Sequence, residues 1–518
     1  MSIQRIGKRL YRYTKERLHH ALSSPVYVEF DAEHIAQHGT GFHYKGKPYV
    51  THNTLLRHES AVDRTTLKQR IFLIALLALI ITGSILNGGL LLIVIVSFIT
   101  FLYFSDLLFN FYLITKSLGT QGEITVDDGI LVSKRTWPAY TILCPLYKEV
   151  LIVPQFITAM KDIDYPKDAL EVLLLLEKDD AETIHAIDQM SLPYFFKIVI
   201  VPESMPKTKP KACNYGLLRA KGEYSVIYDA EDIPDPLQLK KAVIAFEQSD
   251  DTLGCIQAKL NYYNWDQNLL TRLFTLEYSL WFNLVLTGLQ AIKAPIPLGG
   301  TSNHFRTQVI RELGGWDPFN VTEDADLGIR LAKKGMKTAV LDSTTLEEAN
   351  SEVSNWLKQR SRWIKGYIQT YLVHMRDLSE FRANSSSLDV LTFQLVIGGK
   401  VLSALINPIL WILTISYFAL RPFVGGFIES LYIAPVFYIG IVSLVIGNFL
   451  YMYYYMIGAA KEGRPRLIVY ALFVPLYWIM MSISAYYAVR DLIVRPFHWH
   501  KTKHGLHIKP SEPVKVKP

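Results

Sequence analysis

Tyr224-Ser225-Val226-Ile227-Tyr228-Asp229-Ala230-Glu231-Asp232 runs from an apolar strand directly into three carboxylates within four residues. Carboxylates this close repel one another unless a cation or solvent screens them. At the end of a buried strand a divalent metal is the natural counter-ion, and an oxygen-only ligand set favours Mg2+ or Mn2+ over zinc. The expected ligands are Asp229 with Glu231 or Asp232. Two further short apolar runs, 139–145 and 170–176, precede it, separated by polar helix-like stretches such as 153–161. Strands alternating with helices predict a parallel sheet with crossover helices. Ligands then bind outside the C-terminal strand ends, where Leu146 to Glu149, Glu177 to Asp180 and Asp229 fall.

The flanks are of another kind. The chain has 518 residues, of which half are hydrophobic and 19% charged, a low charge content for a soluble protein. The apolar residues concentrate in 71–113 and 391–489. The first run is too long for one span of about 20 residues, and Asn87-Gly88-Gly89 divides it with a turn signal, so a transmembrane hairpin is expected. In the second, 391–420, 432–457 and 467–489 are candidate spans, the last interrupted by Pro475. An even number of C-terminal crossings returns the tail to the cytoplasm and three leave it outside; both stay open. The net charge of +7 gathers beside these runs, at Arg57, Arg64, Lys68 and Arg70 and at Arg490, Arg495, Lys501 and Lys503. Such flanks mark the cytoplasmic face and anionic lipid, while no basic-aromatic motif for nucleic acid is present. The three cysteines give no pairing framework, which fits a reducing compartment. Residues 1–70 are polar and basic, without an apolar run near the start, so no signal peptide is expected.

Four more polar motifs precede or follow the acidic loop. Asp179-Asp180 closes the second strand and suits either a helix N-cap or hydrogen bonds to a ligand. Lys209-Pro210-Lys211-Ala212-Cys213-Asn214 is a basic turn of the kind that pairs with phosphates. Thr322-Glu323-Asp324 opens a helix, where the dipole favours an ionised carboxylate. Gln359-Arg360-Ser361-Arg362-Trp363 sets Gln359 and Trp363 on one helix face; its indole can stack on a sugar ring and Arg362 can grip a diphosphate.

The order D, D-x-D, T-E-D, Q-x-x-R-W resembles the family 2 glycosyltransferases of the cellulose synthase-like type, over about residues 138–378 and in the flanking membrane layout. Glu231 departs from the second Asp of D-x-D. The resemblance implies an α/β nucleotide-diphospho-sugar transferase (GT-A-like) domain inserted between transmembrane helices. It implies Asp324 as general base with Glu323 in support, Arg362 at the leaving phosphate, and donor contacts from Asp179, Asp180, Lys211, Asn214 and Asp229. It places acceptor contacts at Gln359 and Trp363 and in the Gly299 to His304 loop, at Thr301 and Ser302. The expected activity is inverting transfer of a hexose from a nucleotide sugar, UDP-glucose first and GDP-mannose or UDP-N-acetylglucosamine after it, to a β-linked polysaccharide. Transfer of one sugar to a polyprenyl phosphate is the alternative, which has no need of Q-x-x-R-W. A non-catalytic transporter or scaffold would carry ionisable residues along its spans, where Asp106 and Lys400 are the main ones. The expected organisation is a basic region at 1–70, a hairpin at 71–113, a cytoplasmic transferase domain at 121–388 with an interfacial helix near 355–378, C-terminal spans at 389–490 and a basic tail at 491–518.

Overall fold

A computed structural model describes residues 28–29, 41–44, 47–120, 122–134 and 136–496. The first 27 residues and the tail from 497, with its basic residues Lys501 and Lys503, lie outside the described residues.

A small antiparallel sheet, β1 (Val28–Glu29), β2 (Gly41–Tyr44) and β3 (Lys47–Val50), precedes the main one. The main sheet contains β4 (Tyr140–Leu146), β5 (Leu170–Glu177), β6 (Phe196–Val201), β7 (Tyr224–Ile227), β8 (Ile233–Pro234), β9 (Leu253–Tyr262), β10 (Asn303–Arg306) and β11 (Lys337–Glu347). Their order is β6-β5-β4-β7-β10-β9-β11-β8. The first four are parallel. All eight residues of β5 are buried, which explains its unbroken apolar run: helices cover both faces. The sheet as a whole is mixed and not parallel, because β10 runs antiparallel to β7 and β9, and β8 antiparallel to β11. The α/β transferase fold class expected from the sequence is present, with this mixed sheet at its centre and long apolar helices on either side of it in sequence.

Among the described residues four helices are long and apolar enough to cross a membrane: Leu67–Gly119, Ser387–Ala419, Ala434–Lys461 and Pro465–Val494. The first, of 53 residues, would extend about 80 Å if straight. It is not straight. Asn87 has φ −159° and ψ 86°, and a Cβ on Gly83 would lie 3.3 Å from Leu91 Cδ1. Eight residues of straight helix separate by about 12 Å, so the chain folds back at Asn87. Asn87 Oδ1 caps the second leg by accepting from Leu90 N at 2.9 Å.

Residues before this hairpin pack on the α/β domain. Ser60 Oγ donates to Asp317 Oδ1 at 2.8 Å and Ala61 N to Oδ2 at 2.6 Å. Phe42 and Tyr49 stack on Phe319. The Val353–His374 helix, which carries Gln359 to Trp363, packs along the Val474–Val494 helix. It also reaches the Thr322 turn through Gly366, where a Cβ would stand 2.3 Å from Thr322 Oγ1.

Candidate active site

A cavity of about 390 Å3 opens at the C-terminal ends of β4, β5 and β7. It is bounded by the acidic loop, the Thr322 turn and the Val353–His374 helix, and runs on to Lys400, Val401, Ala404 and Met481 in the apolar helices.

Eight carboxylates line it, among them Asp229, Glu231, Glu323, Asp324 and Glu347 around the acidic loop and the Thr322 turn. Burial first, and then the charge of Asp229, pushes Glu231 up to about 8. Burial with Asp324 beside it pushes Glu323 up to about 8. Glu347 is raised well above its ordinary value by burial and by Glu231 and Asp229. Asp324 sits in the first turn of the Glu323–Lys333 helix and accepts from Ala325 N at 2.7 Å. The helix terminus was expected to favour its ionised form, but burial outweighs that and raises its pKa. Its other oxygen faces the sheet side: a Cβ on Gly300 would stand 3.4 Å from Asp324 Oδ2.

The cations opposite include Lys207, Lys209 and Arg362. Lys209 Nζ pairs with Asp229 Oδ1 at 2.6 Å and donates to Gly300 O. Burial lowers the Arg362 pKa against the pull of Glu323 and Asp324. Lys207 pairs with Asp179, which also accepts from Tyr147 Oη at 3.5 Å. Burial opposes the charged form of Asp179, but this pairing outweighs it and holds the carboxyl below its usual range.

Gln359 and Trp363 also line the cavity. Gln359 Oε1 is buried without a hydrogen-bond partner in the protein. Trp363 packs on Phe274 and Tyr278 at centroid distances of 6.1 and 6.3 Å. The Arg360 guanidinium lies 4.4 Å from the centroid of the same indole, and its Nη1 donates to Glu277 Oε1 at 2.9 Å.

Other expected site residues point elsewhere. Asp232 is fully buried; its Oδ2 accepts from Asp229 N at 2.7 Å and from the Thr301 hydroxyl. It therefore fastens the acidic loop from beneath, and Glu231 is the loop's second cavity-lining carboxylate. The Thr301 hydroxyl also lies 2.9 Å from Ile227 O, and Ser302 Oγ donates to Thr345 Oγ1 at 2.7 Å. Both are buried in the sheet and neither lines the cavity. Asp180 caps the Ala181–Asp188 helix and accepts from Lys148 N. Lys211 is buried against Glu177 Oε2 at 3.0 Å and Ser204 O at 3.1 Å. Asn214 bridges Thr51 O and Trp316 O, at 3.0 and 2.9 Å. Lys209 and Lys211 share one helix, Lys209–Leu217. Two residues of helix turn about 200°, so only one lysine can face the cavity. Lys207, Lys209, Glu347 and Glu277 were not selected from sequence. The signal for Glu277 was there, as the one charge between Phe274 and Leu280 in an otherwise apolar stretch.

No group of three or more His, Cys, Asp or Glu side chains is arranged to hold a metal ion among the described residues. The donor chemistry of Asp229 and Glu231 still fits a hard divalent cation. Both are carboxylates in one cavity, and burial together with the charge of Asp229 raises the proton affinity of Glu231, which a bound cation would oppose.

The sheet, the strand-end carboxylates and the T-E-D and Q-x-x-R-W helices define a nucleotide-sugar transferase type of domain. Residues 141–308 match the family model described as glycosyl transferase family 2, and residues 225–461 that described as glycosyl transferase family group 2. Together the two matches run from residue 141 to residue 461. A probable glycosyltransferase YdaM of Bacillus subtilis (strain 168) is 28% identical over 232 residues, 44% of this chain and 55% of that protein. A probable glucomannan 4-beta-mannosyltransferase 7 of Oryza sativa subsp. japonica is 26% identical over 240 residues, 44% of this chain and 40% of that protein. The chain spans about half the length of the curated relatives it matches. A solved mannosyltransferase, PcManGT from Pyrobaculum calidifontis in complex with GDP-Man and Mn2+, superposes with TM-score 0.47 at 19% identity, covering 74% of this chain and 99% of that one.

Proposed function

We propose that the protein is an inverting membrane glycosyltransferase that moves a hexose from a nucleoside diphosphate sugar to an acceptor hydroxyl. The observation that carries this reading is the convergence of Asp324, Arg362, Trp363 and the Asp229–Glu231 pair on one cavity. Asp324 takes the proton of the acceptor hydroxyl, whose oxygen forms the new bond to the anomeric carbon. The bond from that carbon to the diphosphate breaks, and the nucleoside diphosphate leaves with the electron pair. Arg362 and Lys209 stabilise the charge that develops there. Attack from the opposite face turns an α-linked donor into a β-linked product. Asp229 and Glu231 are the residues that would hold Mg2+ or Mn2+, which when bound supplies positive charge to the diphosphate.

Trp363 offers the acceptor sugar a stacking face, and Gln359 Oε1 an acceptor for one of its hydroxyls. The cavity's run toward Lys400 and Met481 supports a polymer acceptor that leaves between the apolar helices. The basic residues Arg57, Arg64, Lys68 and Arg70 beside the first apolar run support a cytoplasmic catalytic domain. Asp106 is satisfied within the helices, accepting from Asn110 Nδ2 at 3.0 Å and from the Tyr451 hydroxyl. The Lys400 ammonium sits 3.6 Å above the Trp281 ring. These partners favour packing and the cavity mouth over a transport pathway.

The Pro465–Val494 helix bears on topology. Just before it, Arg464 Nη1 donates to Asn261 Oδ1 at 3.2 Å. At its end, Arg64 Nη1 donates to Ile493 O at 3.2 Å, and Gln369 Nε2 to Pro496 O at 3.4 Å. A helix with both ends on the transferase side lies along the interface and does not cross. Two C-terminal crossings then remain, Ser387–Ala419 and Ala434–Lys461, which return the basic tail to the cytoplasm.

The test is purified membranes incubated with radiolabelled UDP-glucose, GDP-mannose and UDP-N-acetylglucosamine, with product size measured. Incorporation of one label into a long β-linked polymer is expected, UDP-glucose being the first candidate. One added sugar per lipid acceptor under excess donor would replace the polymer by the lipid-linked reading, and no transfer from any donor would remove the enzyme reading.

A further inference from the structure

On the side of the Glu323–Lys333 helix away from the catalytic cavity there is a second cleft, of about 240 Å3. It lies between residues 54–59, the turn at 312–314, the C-terminal end of that helix and residues 373–377. This is far more than the 10–15 Å3 that one water needs.

Two of its lining side chains are more than nine-tenths buried and incompletely bonded. Arg330, 5% exposed, donates from Nε to Asp326 Oδ2 at 2.8 Å and from Nη1 to Leu313 O and Gly315 O, both at 2.9 Å. Its Nη2 has no hydrogen-bond partner in the protein. His374, 2% exposed, meets Asp326 Oδ1 through Nε2 at 3.0 Å, and its Nδ1 has no partner. With the Nε2 proton given to the carboxylate, Nδ1 is left as an acceptor. The site thus lacks an anionic oxygen for Arg330 and a hydroxyl donor for His374.

Lys333, Lys334 and Arg376 border the same cleft. Arg376 spends its Nη1 on His58 O and Ser60 O, at 2.6 and 2.9 Å, and its Nε is also buried without a partner. Glu59, Glu312 and Asp377 lie there too. With Asp326 behind Arg330, four cations meet four carboxylates, and so even a balance favours a compact anion over a polyanion. A phosphate group that is singly protonated offers both an anionic oxygen and a P–O–H donor.

We propose that this cleft binds inorganic phosphate or a small phosphate monoester. A phosphodiester headgroup shares the anionic oxygen but has no P–O–H for His374. The distinction matters because the cleft lies close to the start of the membrane hairpin, where Gln69 Nε2 donates to Leu372 O at 2.7 Å.

Binding is read on the full-length protein in phosphatidylcholine nanodiscs, so the result is independent of whether sugar transfer occurs. Inorganic phosphate is titrated against chloride at equal ionic strength, and the thermal midpoint is followed. A saturable rise at millimolar phosphate is expected. Lys334→Glu, at an exposed position that leaves the fold intact, is expected to weaken the apparent affinity about tenfold. Arg330→Gln is expected to abolish it, and Lys209→Ala in the catalytic cavity to leave it unchanged. No saturable response overturns the proposal. So does a response that Lys334→Glu leaves intact, or one that Lys209→Ala removes, since the phosphate is then in the catalytic cavity. A rise seen only when phosphatidylglycerol is added to the discs assigns the cleft to lipid and overturns it as well.

Discussion

Gly366→Ala tests whether the helix bearing Gln359, Arg362 and Trp363 is seated by its contact with the T-E-D turn. The added methyl would stand 2.3 Å from Thr322 Oγ1, 2.5 Å from Cγ2 and 2.7 Å from Cβ. Ordinary contact begins near 3.4 Å, so the helix and turn must part by about 1 Å. Overpacking of this kind costs about 1–3 kcal/mol, which a domain of this size can survive. A displacement of about 1 Å between catalytic groups costs on the order of a hundredfold in rate. The expected result is a folded protein with transfer lowered about a hundredfold. Donor affinity should change much less, since Asp179, Lys207, Lys209 and Asp229 lie on other elements. Gly426→Ala is the matched control, because nothing lies within 4 Å of a Cβ there. The assay is initial-rate transfer with purified protein in nanodiscs, alongside the thermal midpoint. Transfer by Gly366→Ala within threefold of the parent, at an unchanged midpoint, would refute the seating argument.

Asp324→Asn keeps the shape but cannot accept a proton, so transfer should fall at least about a hundredfold with donor binding retained in equilibrium dialysis; near-normal turnover removes it as the base. Lys209→Ala and Lys211→Ala should separate: the first raises the KM for donor at little cost in stability. The second strands Glu177 in the interior at a cost of about 3–5 kcal/mol, seen as a lower midpoint, and equal effects from both would contradict their opposite orientations. Chelator should abolish transfer and added Mg2+ or Mn2+ restore it, with Glu231→Ala mimicking chelation and Asp232→Ala mainly lowering the midpoint; full transfer in chelator counts against a metal on Asp229 and Glu231. Single cysteines at Leu56 and Glu203, both exposed, should be protected alike from an impermeant reagent in intact cells, and opposite accessibility would break the hairpin reading.

What could be read from the sequence was what depends on short range. β4, β5 and β7 were legible as apolar runs, and the acidic loop and T-E-D turn as polar residues where such runs or helices begin and end. What escaped depends on a partner distant in the chain. Thr301 and Ser302 look like a polar loop tip, yet Ile227 and Thr345 claim them from neighbouring strands. Asn214 looks like a ligand amide, but Thr51 and Trp316 use it, which ties the N-terminal segment to the domain. Gly315 permits this with φ +81°, where a Cβ would meet Asn214 Oδ1 at 2.5 Å. The direction of β10 was equally hidden, because antiparallel return after a long connection leaves no periodic trace.

The Arg360 environment ties the long apolar helices to the site. Arg360 is buried, with Phe274 and Trp363 each 4.4 Å from its guanidinium. A buried cation costs several kcal/mol unless paired, and here the pairing comes from Glu277, itself on the cavity wall. Tyr477 closes the arrangement, donating to Glu277 Oε2 at 2.6 Å from the apolar Val474–Val494 helix. The proposed acceptor face of Trp363 is therefore set by three separate elements: its own helix, the Leu269–Leu280 helix and the C-terminal apolar helix. Any tilt of that last helix moves Tyr477, then Glu277 and Arg360, and so the indole on which an acceptor sugar would rest.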